Sequence, residues 1–126
     1  AKLFTAEPDG YDDHARSLAS GQRQRHHAQN RTFCDALMAS EPGELTFAIN
    51  SRLLAGGVAA TDAEVTQAMA LAFRELKLVV EPGGSVALAA LLAGRMEAGG
   101  KTVVIVLSGG NVDAGLYADA IREGAV

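Results

Sequence analysis

The sequence has few positive charges and no long hydrophobic run. Lysine and arginine number 11 against 15 acidic residues, which gives a formal net charge of −4. It has no basic stripe with interleaved aromatic side chains, so nothing favours nucleic acid as a partner. The longest uninterrupted apolar run, residues 86–93, is far shorter than the roughly 20 residues that cross a membrane. We therefore expect no nucleic-acid partner and no membrane partner.

Cysteine is almost absent. The single Cys34 cannot form an internal disulfide, which favours a reducing compartment, so we expect the cytoplasm. His26, His27, Cys34 and Asp35 are residue types that bind metals, but their spacing matches no zinc pattern. We expect a solvated polar loop at these positions and no metal centre.

Aromatic residues are also scarce, at 5% of the chain, whereas hydrophobic residues make up 48% and glycines number 14. This composition is typical of a globular protein built from closely packed, alanine-rich helices. The length of 126 residues suits one domain or part of a larger one.

Hydrophobic spacing and turn residues predict alternating helices and strands. Thr61–Glu64 has the pattern of a capping box, and apolar residues at helical spacing follow it as far as Leu76. The glycine pair Gly56-Gly57 is expected to end a helix that begins within or after a short β-prone stretch. The other predicted elements are a strand over 2–6, a helix over 11–20, a short helix over 33–39, a buried helix over 84–96 with Ser85 as its N-cap, and a helix after residue 111.

Residues 103–107 are β-branched and apolar on both faces, which is typical of a central strand in a parallel sheet. The fold class is therefore α/β, with few parallel strands flanked by helices. Because such a strand needs neighbours on both sides, we expect other strands to complete the sheet. The chain also begins within a predicted strand, so we expect residues 1–126 to form only part of a domain.

Ser108-Gly109-Gly110-Asn111 follows that predicted strand directly. Ligands of open α/β sheets bind beyond the carboxyl ends of the strands, and glycines let a ligand approach the backbone. The alternative is a plain turn into the next helix, with Asn111 or Asp113 as its N-cap.

Glu81-Pro82-Gly83-Gly84-Ser85 precedes the predicted buried helix. Glycines and a serine at a helix N-terminus suit an anion. Glu81 would repel an anion but can accept a hydrogen bond or a proton from a ligand. A turn followed by a helix cap is the alternative explanation.

These motifs together resemble a known family. EPGGSVALAALL, followed by TVVIVLSGGNVD, resembles the end of the catalytic domain of threonine dehydratases and serine racemases that depend on pyridoxal phosphate (PLP). AEPDGYDDHARSLASG, FCDALMASEPGELTFAIN and TDAEVTQAMALAF resemble segments that precede it in the family. The resemblance implies the fold type II architecture, with the chain as the C-terminal part of its large domain.

The resemblance also implies a cofactor site. Ser108 would hydrogen-bond the pyridine nitrogen of PLP, Glu81 would line the same pocket, and Gly109 and Gly110 would leave room for the ring. Asn111 belongs to the same motif and is assigned to the cofactor with it. The family's Schiff-base lysine and phosphate-binding glycines lie in an N-terminal portion that this chain lacks. We therefore predict no catalytic residue within the chain and expect it to be inactive alone.

The expected activity is β-elimination from a hydroxy amino acid, threonine or serine, to give a 2-oxo acid and ammonia. Racemisation of serine remains an alternative within the family. A non-catalytic binding or regulatory module that reuses part of the fold is a further alternative. The expected partners are the amino acid substrate, the N-terminal portion of the enzyme and further copies in a homo-oligomer.

Overall fold

A computed structural model describes residues 1–29 and 31–124 of the chain. Two parallel strands, β1 (Phe4–Pro8) and β2 (Gly56–Ala60), pair in a register that sets Phe4 opposite Gly56 and Pro8 opposite Ala60. Five α-helices accompany them. They are α1 (Asp13–Ser20), α2 (Glu44–Leu53), α3 (Asp62–Leu71), α4 (Pro82–Leu92) and α5 (Ala114–Glu123). The architecture confirms the predicted α/β class.

The two faces of the small sheet carry different helices. A Cβ placed on Gly57 would lie 2.6 Å from the Cβ of Ala15, so α1 packs directly on this strand. Successive residues of a strand point to opposite faces. Val58 and Ala60 accordingly point away from α1, into the core that α3 and α4 share.

The core is built from small side chains. Most of its members lie on α3 and α4, while β2 adds Ala60, α5 adds Ala120 and the segment before α2 adds Cys34. Alanine at most of these positions lets helix axes approach closely, which agrees with the scarcity of aromatic residues. The buried cluster consists of Cys34, Ala60, Val65, Ala68, Met69, Val86, Ala89, Ala90 and Ala120.

Helix α3 begins as predicted. The amide of Glu64 donates to Oγ1 of Thr61 at 3.3 Å, and the amide of Thr61 donates to Oε2 of Glu64 at 2.8 Å. This reciprocal pair satisfies two amide groups that a helix start leaves without partners. The helix continues into a π-helical turn, Ala72–Leu76, which ends at Lys77 with a φ of 59°.

The structure corrects the prediction that residues 103–107 form a strand. They are not assigned to a strand, and Val104 and Val106 are 84% and 70% exposed. An extended segment becomes a strand only when a neighbour takes up its backbone hydrogen bonds. Within the described residues, the sheet consists of β1 and β2.

Two smaller predictions are also wrong. Gly56-Gly57 opens a strand rather than ending a helix, and the β-prone stretch before it lies within α2. Ser85 is buried inside α4, where its hydroxyl donates to the Glu81 carbonyl at 3.1 Å, and Glu81 is the N-cap residue. Phe73 and Leu76, which continue the helical spacing of apolar residues, are exposed and lie in the π-helical turn.

No helix within residues 1–29 and 31–124 is long and apolar enough to cross a membrane.

Candidate functional site

Glu81 and the Ser108–Asn111 turn lie side by side, although 26 residues separate Glu81 from Ser108 in the sequence. The amide of Glu81 donates to the carbonyl of Gly109 at 2.9 Å. This backbone hydrogen bond joins the segment that leads into α4 to the turn that leads into α5. The two motifs singled out in the sequence are therefore neighbours in the structure and form one candidate site.

The Glu81 carboxylate rests on the backbone of Gly109. A Cβ added to Gly109 would lie 2.1 Å from Oε1 of Glu81 and 2.9 Å from its Cδ. No side chain fits in that space unless the carboxylate moves. Glycine at position 109, next to Ser108 in the chain, therefore leaves room for the Glu81 carboxylate.

Gly84 and Gly110 make two further close backbone contacts at the same junction. A Cβ on Gly84 would lie 3.0 Å from the carbonyl oxygen of Gly109, and one on Gly110 would lie 2.7 Å from the carbonyl oxygen of Val79. Neither these two glycines nor Gly109 has a positive φ. Close backbone approach, rather than an unusual conformation, is what requires glycine here.

Ser108 and Asn111 are exposed at the edge of this junction. Asp113 caps α5, since its Oδ1 accepts from the amides of Gly115 at 2.8 Å and Leu116 at 3.0 Å. The capping function considered for Asn111 thus belongs to Asp113. Ser108 is therefore available to a ligand, and it does not lie deep among hydrocarbon side chains.

The junction combines three chemical features. Ser108 supplies a neutral hydroxyl that can donate or accept, Glu81 supplies a carboxylate, and the glycines supply backbone without side chains. Glu81 also occupies the N-cap position of α4, where the positive end of the helix dipole favours a negative charge. A flat polar ring that approaches this turn could meet the hydroxyl and the carboxylate at its edge.

The sequence did not indicate the role of Glu7. Its Oε1 and Oε2 accept from the amides of His14 at 2.9 Å and Ala15 at 2.8 Å, so it caps α1 from the end of β1. Burial raises the pKa of Glu7 to about 7, although these two hydrogen bonds oppose the shift. A carboxylate shortly before a helix start was the only available hint.

The residues near Cys34 do not converge on one another. His26 stacks on Tyr11, with ring centroids 4.4 Å apart, while Cys34 is fully buried in the core. Burial raises the pKa of the Cys34 thiol to about 12, which makes it an unreactive core residue. In the part of the chain that the structure describes, no group of three or more His, Cys, Asp and Glu side chains could hold a metal ion.

A groove with a volume of about 550 Å³ lies elsewhere, between α3 and α5. Three carboxylates line it, those of Asp62, Asp119 and Glu123. Asp62 already accepts from Thr32 and from the amide of Phe33, and Asp119 pairs with Arg122. The groove lies away from Glu81 and the 108–111 turn, so it is separate from the candidate site.

Comparison with known proteins gives a consistent result. A family model described as pyridoxal-phosphate dependent enzyme matches residues 1–109. The serine racemase of Dictyostelium discoideum is 39% identical over 115 residues, covering 89% of this chain and 35% of that protein. The L-threo-3-hydroxyaspartate ammonia-lyase of Saccharomyces cerevisiae is 35% identical over 120 residues, covering 95% of this chain and 36% of that protein.

A solved structure agrees with these relatives. The crystal structure of a threonine deaminase from T.th. matches with a TM-score of 0.80 and 35% identity, over 89% of this chain and 40% of that one. The chain thus spans little more than a third of the length of the curated relatives it matches.

Proposed function

Because the chain belongs to the family of pyridoxal-phosphate-dependent enzymes and has their fold type II architecture, we propose that it carries part of the cofactor site of an ammonia-lyase acting on threonine or serine. In this reaction the α-proton and the β-hydroxyl leave as water. Water then displaces ammonia, so that a 2-oxo acid and ammonia are released. The observation that carries the proposal is the contact of the Glu81 carboxylate with Gly109, directly beside the exposed Ser108.

The residues at this junction fit a PLP ring. When bound, PLP delocalises the negative charge that is left when the α-proton is removed. Gly109 and Gly110 have no side chains, and Asn111, the next residue, adds an exposed amide. Ser108, Gly109, Gly110, Asn111 and Glu81 are the residues that we propose to hold the ring.

Ser108 sets the charge that the ring nitrogen can carry. A hydroxyl forms a hydrogen bond but carries no negative charge, so it does not stabilise the protonated form of the nitrogen. A carboxylate at the same position would favour the protonated nitrogen by charge attraction. We propose that Ser108 keeps this nitrogen neutral, which suits an elimination in which the leaving group departs soon after the α-proton.

The chain supplies no lysine that we assign to the reaction. Lys77 donates from Nζ to the carbonyl of Arg74, and Lys101 donates to Glu97. Lys2 is exposed before β1. We propose that the lysine that bonds to the cofactor belongs to an N-terminal portion of the large domain, and that residues 1–126 form its C-terminal part.

Substitution of Ser108 tests this proposal. In the protein as its gene encodes it, Ser108→Ala should lower kcat because the ring nitrogen loses its hydrogen-bond partner. One neutral hydrogen bond is worth about 1 kcal/mol, which corresponds to roughly a fivefold change. Ser108→Asp should shift the absorbance maximum of the bound cofactor, because the aspartate favours a protonated nitrogen.

Ser40 provides the matched control, since it is also exposed and lies outside the junction. Ser40→Ala and Ser40→Asp should leave both the rate and the spectrum unchanged. If the Ser108 variants behave like the Ser40 variants, Ser108 does not contact the cofactor.

Serine racemisation is the second candidate function. The relative with 39% identity is named a serine racemase, and the residues proposed here contact the cofactor rather than the part of the substrate that distinguishes the two reactions. Incubation with L-serine and with L-threonine, followed by assays for D-serine, 2-oxo acids and ammonia, separates the activities. D-serine without ammonia would assign racemisation instead of elimination, and neither product, with no PLP bound, would favour a non-catalytic module.

A further inference from the structure

The segment that leads to Glu81, residues 77–81, is held in place although it has no regular secondary structure. The amide of Leu78 donates to the carbonyl of Ala72 at 3.1 Å, and the amide of Glu81 donates to the carbonyl of Gly109 at 2.9 Å. Val80 is buried, and its side chain lies against Gly84. Backbone and core contacts therefore fix both ends of the segment.

Tyr117 supplies a further contact, from a side chain. Its hydroxyl donates to the carbonyl of Leu78 at 3.2 Å. Its ring packs edge-on against Phe73, with ring centroids 6.0 Å apart and an interplanar angle of 85°. The aromatic contact orients the ring, so that the hydroxyl is directed at a single carbonyl.

The position of Tyr117 in the sequence gives this contact its significance. Tyr117 lies in the first turns of α5, and its amide donates to the carbonyl of Asp113, the N-cap of that helix. The Ser108–Asn111 turn leads directly into the same helix start. Helix α5 thus follows the Ser108–Asn111 turn and also carries Tyr117, which contacts segment 77–81.

We propose that Tyr117 is a positioning residue, which holds segment 77–81 and through it sets the Glu81 carboxylate against Gly109. This inference rests on the proposed function for the role of Glu81, but the contact itself belongs to the protein without cofactor. Burial raises the pKa of Tyr117, which keeps its hydroxyl protonated as a donor.

Amide hydrogen exchange of the cofactor-free protein, as its gene encodes it, tests the contact directly. Tyr117→Phe removes the hydroxyl and keeps the ring against Phe73. The amides of Leu78 and Glu81 should exchange about 2- to 10-fold faster, the factor that corresponds to one hydrogen bond. Tyr11→Phe is the matched control, because Tyr11 is the only other tyrosine of the chain and packs on His26.

Unchanged exchange at Leu78 and Glu81 in Tyr117→Phe would overturn the proposal. Equal acceleration in Tyr11→Phe would do the same, because the effect would then be a general loss of stability. Neither measurement needs bound cofactor, so an enzyme that fails to bind PLP contradicts the proposed function without deciding the role of Tyr117.

A double-mutant cycle tests whether Tyr117 acts through Glu81. Tyr117→Phe should lower kcat about 2- to 10-fold when Glu81 is present and much less in the Glu81→Gln background. Equal losses in both backgrounds would show that the tyrosine does not act through the carboxylate.

Discussion

At the scale of residues, each of the three prolines in the chain follows a glutamate, and the structure uses the three glutamates differently. Glu7 ends β1 and caps α1. Glu41 pairs with Arg23 at 3.2 Å on the surface. Glu81 opens α4 and lies on Gly109. A dipeptide pattern therefore does not specify a role, because the tertiary neighbours decide it.

The raised pKa of Glu7 predicts a dependence of stability on pH. The folded state holds this proton up to about pH 7, whereas the unfolded chain loses it near pH 4.5. Between these values the folded state binds more protons, so the contribution of Glu7 to stability falls as the pH rises, by up to about 1.4 kcal/mol per pH unit. Glu7→Gln should remove this decline.

The measurement is urea unfolding of the wild-type protein and of Glu7→Gln from pH 4 to 8. The buffer contains EDTA, so that no contaminating divalent cation binds the carboxylates. The unfolding free energy of Glu7→Gln minus that of the wild-type protein should increase as the pH rises. Glu97→Gln, at a carboxylate that is 90% exposed, should show no such trend. A constant difference across the range would contradict the raised pKa.

At the scale of elements, local signals predicted helices better than strands. The capping box at Thr61 and Glu64 is complete within four residues, so the sequence alone was sufficient to predict the start of α3. Strand β2 was missed because Gly56 and Gly57 are typical of turns. Its pairing with β1 and the packing of Ala15 on Gly57, neither of which is local, explain both the strand and its glycine.

Gly57 gives an element-scale prediction. In Gly57→Ala the new methyl group would meet Oγ1 of Thr5 at 2.5 Å and the Cβ of Ala15 at 2.6 Å. The crowding should separate α1 from β2 and destabilise the fold by about 1–3 kcal/mol, measured by urea unfolding. Gly99→Ala is the control, since that site has open space, and its stability should stay within about 0.5 kcal/mol. Equal stabilities of the two variants would contradict the close packing.

The candidate site also combines local features that the sequence predicted with contacts between distant residues that it did not predict. The residue types at Glu81 and at Ser108–Asn111 were identified from the sequence, with the family resemblance. The hydrogen bond from Glu81 to Gly109 and the contact of Tyr117 with Leu78 were not, because each joins residues far apart in the chain. Periodicity and capping patterns carry no information on such pairs.

At the scale of the whole molecule, large apolar side chains remain exposed at several places, which include α2 and the extended segment before Ser108. Leu45, Ile49 and Leu53 form a stripe along α2, and Val104 and Val106 protrude from the extended segment before Ser108. Exposed apolar surface of this kind favours association. Among residues 1–29 and 31–124 no strand pairs with this extended segment, and an extended apolar segment of this kind can pair with a further strand.

The isolated 126-residue chain should therefore self-associate. Sedimentation velocity over a range of concentrations should show oligomers, and a double variant, Val104→Lys with Val106→Lys, should shift the distribution toward monomer. Glu97→Lys changes the net charge by the same amount at an exposed site and is the control for charge repulsion alone. A wild-type chain that stays monomeric at all concentrations would contradict this prediction.

The parallel pairing of β1 with β2 has a consequence for synthesis on the ribosome. β1 emerges early, but its hydrogen-bonding partner is complete only when Ala60 has left the exit tunnel, after α1 and α2 have been translated. At roughly 5–20 residues per second, the backbone groups of β1 that later pair with β2 stay unpaired for several seconds. During this interval, chaperones that scan emerging polypeptides can bind the unpaired β1 strand.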